Sequence, residues 1–131
     1  MFGRKKKATL VESSRSLKVA GTSYRQDDLR KIAGKKTKEG HDLPVVAALV
    51  PHPSNEHDPN AVSVQIDGLL VGYLSRDEAK KVQPALLDFH QRTKTHVAVN
   101  AKVIGGKKVS RKEETNYGVR VYFNPADLPA S

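Results

Sequence analysis

The dipeptide Asp67-Gly68 constrains the fold of this chain more than any other feature. It joins two apolar, valine- and leucine-rich runs, residues 61–66 and 69–74. Asp and Gly both tolerate positive φ, and a two-residue connection of that kind between apolar runs specifies a tight β-hairpin. Antiparallel pairing is thereby set at the centre of the chain. The remaining segments are read around it.

Upstream, residues 17–20 alternate and predict a first strand that runs on towards Tyr24. Asp27 or Asp28 can cap a short helix over residues 27–33, which Gly34 ends. Residues 43–50 are apolar and predict a buried strand in spite of Pro44. Residues 51–59 hold three prolines with Ser, Asn and Asp, which is a loop composition. Downstream of the hairpin, Ser75-Arg76-Asp77-Glu78 forms a capping box. Ala79, Val82, Leu86 and Phe89 follow at helical spacing, so a main helix is expected over about 76–89, interrupted or kinked at Pro84. Residues 96–104 and 119–123 read as the last strands, joined by a long, basic and mobile loop. The sum is a mainly β chain: an OB-like or SH3-like antiparallel barrel of about six strands with one main helix. A parallel sheet would need more crossover helices. The expected layout is a disordered basic arm over 1–15, a barrel domain over 16–124 and a tail over 125–131.

Charge narrows the function. The formal net charge is +9, unevenly placed. Residues 1–40 carry +8, residues 41–91 carry −4 and residues 92–131 carry +5. Basic ends of this kind favour polyanionic partners without specifying a sequence. There is no cysteine, so disulfides and thiolate metal sites are excluded. No run approaches the about 18 apolar residues that span a bilayer, and the basic start has no apolar stretch behind it. The expectation is a cytoplasmic protein with no membrane partner.

The loop P-H-P-S-N-E-H-D-P-N-A, residues 51–61, concentrates the side chains capable of chemistry. It supports three readings. In the first it is a stiff turn whose Asp58 and Asn60 bond nearby backbone. In the second, His52, His57 and Asp58 hold a metal ion, although their spacing matches no helical ligand motif. In the third, Glu56, His57 and Asp58 serve a magnesium-dependent nuclease, but no lysine in the loop completes a charge clamp. Phosphate-binding glycine motifs and a catalytic triad are both absent from the sequence.

The loop and the hairpin together carry a longer pattern, L-V-P-x-P-x-N-x-x-D-P-N-A-V-x-V-x-I-x-G-x-x-V-G-Y-L, from Leu49 through the capped helix to Ala79. A weaker stretch, V-A-G-T-S-Y-R-Q, lies at residues 19–26. The chain resembles the HIRAN domain family in its stand-alone bacterial form, over roughly residues 17–124. Related domains sit at the N-terminus of Swi/Snf-type helicases. The resemblance implies an OB-like barrel that binds single-stranded DNA and DNA 3′ ends, in DNA repair or replication-fork processing, beside a helicase or nuclease. It implies that Tyr24 stacks on a base, and that Asn55 and Asp58 bond the terminal nucleotide, with Asp58 near the sugar hydroxyl. His57 takes the place of a second stacking aromatic. Tyr73 would line the same pocket and Arg76 would contact phosphate. Ser23 belongs to the same set, standing where a helicase relative carries arginine. The expectation is a non-enzymatic binding module with no cofactor. The alternatives are a metal-dependent nuclease or hydrolase acting on nucleic acid, and a protein-interaction module.

Overall fold

The structure is a computed structural model, and it describes residues 8–129. The first residues of the expected basic arm, 1–7, lie outside the described residues. The elements in chain order are β1 (Ala8–Val11), β2 (Ser16–Lys18), α1 (Gln26–Ala33), β3 (His41–Pro51), β4 (Val62–Ile66), β5 (Leu69–Tyr73), α2 (Arg76–Thr93), β6 (His96–Gly105) and β7 (Tyr117–Tyr122). The fold is mainly β, as the hairpin and the alternating runs predict. One curled sheet runs β2-β7-β6-β3-β4-β5, with β1 added beside β6.

Alternation decides which strand residues face the core. Val97, Val99, Ala101 and Val103 of β6 are buried, as are Val119 and Val121 of β7. They meet Val62, Val64, Ile66 and Val71 of the hairpin in one core. Asp67 and Gly68 both have positive φ, 52° and 77°, the conformation a two-residue hairpin turn requires. The long strand β3 pairs with β6 over residues 41–49 and with β4 over residues 48–51. It therefore turns the corner of the barrel. Pro44 lies in the part of β3 that β4 does not reach, where a missing N–H is tolerated.

Past β2 the chain links the two edges of the sheet. Val19 N–H donates to the Val119 carbonyl at 3.0 Å, while Ala20 and Tyr73 exchange bonds of 2.7 and 2.9 Å. The sheet is thus joined from β5 back to the β2 side at one residue pair. The glycine at position 72 permits the approach: a Cβ there would stand 2.4 Å from the Ala20 carbonyl oxygen and 2.6 Å from Val19 Cγ1.

Helix α2 buries the face the spacing identified: Ala79, Val82, Leu86 and Phe89, together with Gln83. Gln83 is satisfied by donating to the Pro59 and Ala61 carbonyls at 2.8 and 3.2 Å, which ties the helix to the 52–61 loop. No helix among the described residues is long and apolar enough to cross a membrane.

Several expectations need correction. Residues 8–11 do not belong to a disordered arm but form β1, parallel to the start of β6 with Val11 buried. Such a pairing is non-local and leaves little trace in local pattern. Residues 125–129 do not trail away. Asn124 caps a short 3-10 turn at 3.0 Å and Leu128 packs on the core. The first strand stops before Tyr24, which sits instead on a 3-10 turn, Thr22–Tyr24. Asp27 and Asp28 lie in the first turn of α1 rather than capping it. Helix α2 runs unbroken through Pro84 to Thr93. Pro84 and Lys80 are both exposed, so the proline sits on the solvent face of the helix. The capping box is half made. Ser75 Oγ accepts from Glu78 N–H at 3.3 Å, but Glu78 Oε1 takes the Arg15 guanidinium at 2.7 Å. A charge-assisted bond there outcompetes the return bond to an amide.

Candidate nucleic-acid interface

The 52–61 loop is shaped by its own side chains. Asn55 Oδ1 accepts from the backbone N–H of His57 at 2.9 Å and of Asp58 at 3.1 Å. Asp58 Oδ1 accepts from Asn60 N–H at 3.0 Å. The turn reading therefore holds, with Asn55 and Asp58 as the acceptors and Asn60 contributing its N–H. These bonds leave one Asp58 carboxylate oxygen and the Asn55 amide nitrogen without a protein partner among the described residues. His52 turns away from this group. Its Nε2 lies 2.8 Å from Oγ of the buried Ser63, so it serves the strand rather than the loop rim. Among the described residues, no group of three or more His, Asp or Glu side chains is arranged to hold a metal ion.

The loop packs beside the end of β5 and the start of α2. Asn55, His57, Asp58, Tyr73 and Arg76 line one open cleft of about 320 Å³, with Ala20, Gly21, Ala61, Leu74 and Ser75 completing its walls. Three chain segments converge there: the 19–21 strand extension, the loop and the β5–α2 junction. Among the described residues, neither Asp58 nor Arg76 nor His57 forms a salt bridge. The cleft therefore presents a carboxylate with one free oxygen and a guanidinium without an ion-pair partner. Helix α2 directs its N-terminus here, and its free N–H groups favour an anion. Arg76, the first residue of that helix, opposes the dipole, while Asp77 and Glu78 in the same turn favour it.

Ser23 lies outside this cleft. It lines an adjoining groove of about 580 Å³ that shares Ala20, Gly21, Leu74 and Ser75 with the cleft and extends along Ser16–Lys18 towards Glu78. Tyr24 lines neither. It stands next to Ser23 on the 3-10 turn with 86% of its surface exposed, so packing gives no reason for an aromatic ring there. The turn beneath it is firmly held. Gln26 Nε2 donates to the Thr22 and Tyr117 carbonyls at 2.8 and 3.0 Å, and its Oε1 accepts from Tyr117 N–H at 2.8 Å. Tyr73 is more sheltered, at 36%. Its backbone is fixed by the bonds to Ala20.

Ala20, Gly21 and Ser75 also line the cleft, and residue chemistry gave no warning of them. The signal available was Gly21 within the V-A-G-T-S-Y stretch. Its φ of 77° turns the chain from the barrel edge into the tyrosine-bearing turn.

A family model described as the HIRAN domain matches residues 14–114. Among solved structures, the crystal structure of the HIRAN domain of human HLTF is similar at 18% identity, with a TM-score of 0.40, covering 84% of this chain and 74% of that one. No curated protein matches the chain.

Proposed function

The chain belongs to the HIRAN domain family, and from that premise we propose that it is a non-enzymatic module that binds single-stranded DNA and favours a free 3′-hydroxyl end. Membership associates the chain with nucleic-acid binding and DNA repair. The finer reading rests on one observation: Asn55, His57, Asp58, Tyr73 and Arg76 converge on a single cleft.

The chemistry of that set suits a strand terminus. Arg76 and the α2 N-terminus attract a phosphate. Tyr24 offers an exposed face to a base, and Tyr73 and His57 offer further ring surface. Asp58 is unfavourable beside a continuous phosphodiester backbone, which it repels. A terminal sugar hydroxyl changes that, because it can donate to the free carboxylate oxygen. Asn55, with its amide nitrogen unengaged, can donate to the same nucleotide. A helicase or nuclease that acts on such ends is the corresponding partner.

Titration of a fluorescent oligonucleotide ending in a 3′-hydroxyl, against the same oligonucleotide ending in a 3′-phosphate, tests this directly. The hydroxyl form is expected to bind about fivefold tighter, the scale of an interaction of roughly 1 kcal/mol at a partly exposed site. Asp58→Asn keeps an acceptor for Asn60 N–H and removes the charge, so it is expected to abolish the preference while leaving the loop folded. Equal affinity for the two ends in the unmodified protein would remove the claim of end recognition.

A further inference from the structure

The two basic portions of the sequence are brought together in space. The turn after α1 and the β6–β7 loop dock through main-chain bonds. Thr37 N–H donates to the Gly106 carbonyl at 3.1 Å, and Lys108 N–H donates to the Thr37 carbonyl at 2.8 Å. The β6–β7 loop is braced internally as well. Thr115 N–H reaches the Lys107 carbonyl at 2.8 Å, and Lys107 N–H reaches Thr115 Oγ1 at 2.9 Å. This is not the free loop that its composition suggests. Lys36 fastens the junction, 3.3 Å from Glu114 and over the Tyr117 ring.

Two adjoining clefts open on this junction, of about 270 and 640 Å³, sharing Lys108 and Glu114. Arg30, Lys35, Lys38, Lys107, Lys108 and Arg111 line them, against Asp27 and Glu114. Among the described residues none of those six cations forms a salt bridge, and Glu114 is already occupied by Lys36. Six cations without counter-charges, carried on a braced backbone, suit a polyanion backbone. The surface also adjoins the proposed site along the chain. Tyr24 lies between Gly21, which lines the Asp58 cleft, and Gln26, which lines the basic surface.

We propose that this two-loop surface is a second, sequence-independent phosphate-binding site that carries the nucleic-acid backbone beyond the nucleotides held near Tyr24. The proposal rests on the nucleic-acid reading of the Asp58 cleft for its direction but not for its chemistry. It accounts for the clustering of loop cations that contribute nothing to packing. It also gives the module a grip that grows with ligand length.

Two labelled oligothymidines, of about 5 and about 20 nucleotides, bracket the footprint of one barrel of this kind. Lys35, Lys38, Lys107 and Lys108 are replaced together by Glu. The long ligand is expected to lose at least about tenfold in affinity at low salt, and its log–log salt slope to shrink by about 0.7 for each phosphate no longer neutralised. The short ligand is expected to lose far less, and that loss to vanish as salt screens the long-range repulsion. The corresponding four Gln replacements should act in the same direction with a smaller factor, and thermal melting verifies that both variants are folded. Unchanged affinity for the long ligand overturns the proposal. If in addition Asp58→Asn still abolishes the preference for a 3′-hydroxyl end, the cleft reading stands without it. If the Glu variant loses the long ligand while Tyr24→Ala and Asp58→Asn change nothing, the basic surface stands and the cleft reading fails. Tighter binding of polyglutamate than of the long oligothymidine at equal charge would overturn the assignment to nucleic acid.

Discussion

Gly72→Ala is expected to destabilise the domain by about 3 kcal/mol, at the upper end of the range for overpacking a closed core. The cause is backbone rather than side chain. The new methyl group would stand 2.4 Å from the Ala20 carbonyl oxygen, which cannot rotate out of the way, and 2.6 Å from Val19 Cγ1. Relief requires the 19–21 segment to move off β5. That movement stretches the reciprocal Ala20–Tyr73 bonds at the pair joining the sheet edges. Thermal unfolding should show a midpoint lowered by roughly 10 °C for a domain of this size. Amide exchange should rise first at Ala20 and Tyr73. The same displacement moves Ala20, Gly21 and Tyr73 in the cleft wall, so oligonucleotide affinity should fall even below the melting transition. A loss under about 1 kcal/mol would mean that the edges are not held by this contact.

Tyr24→Ala is expected to lower single-stranded DNA affinity by about 2 kcal/mol, or roughly thirtyfold, the middle of the range for one base–aromatic stack. Its stability cost should be close to nil, because the ring is 86% exposed and buries almost nothing. The two readouts separate a binding residue from a packing residue. Tyr24→Phe should retain most of the affinity, since stacking uses the ring and not the hydroxyl. Gln26 ties the backbone turn that carries the ring to Tyr117, so the turn itself need not be ordered on binding. Unchanged affinity in a folded Tyr24→Ala protein would remove Tyr24 from the site.

Local chemistry made much of this fold legible. Asp67-Gly68 specified the hairpin because few residues accept positive φ twice in succession. The spacing of Ala79, Val82, Leu86 and Phe89 named the buried face of α2. The loop carrying Asn55, His57 and Asp58 was visible from its prolines, and the family pattern linked it in advance to Tyr73 and Arg76. What stayed hidden was non-local. The parallel pairing of Ala8–Val11 with β6 depends on a strand from the far end of the chain, and the basic residues before it favoured an arm. The docking of Thr37 on Lys107 joins two segments that each look like solvated charge. Pro84 misled for a different reason, since its cost depends on which face of the helix it takes, and only the fold decides that. The half-made capping box depended likewise on Arg15 arriving from outside the helix.

Chemical-shift mapping of the full chain with a short oligothymidine tests the central claim most directly. Shifts are expected to cluster at Gly21, Tyr24, Asn55, His57, Asp58, Tyr73 and Arg76, with the β6–β7 loop quiet until the ligand is lengthened. Shifts confined to other surfaces, or none at saturating ligand, would contradict a nucleic-acid site at the Asp58 cleft.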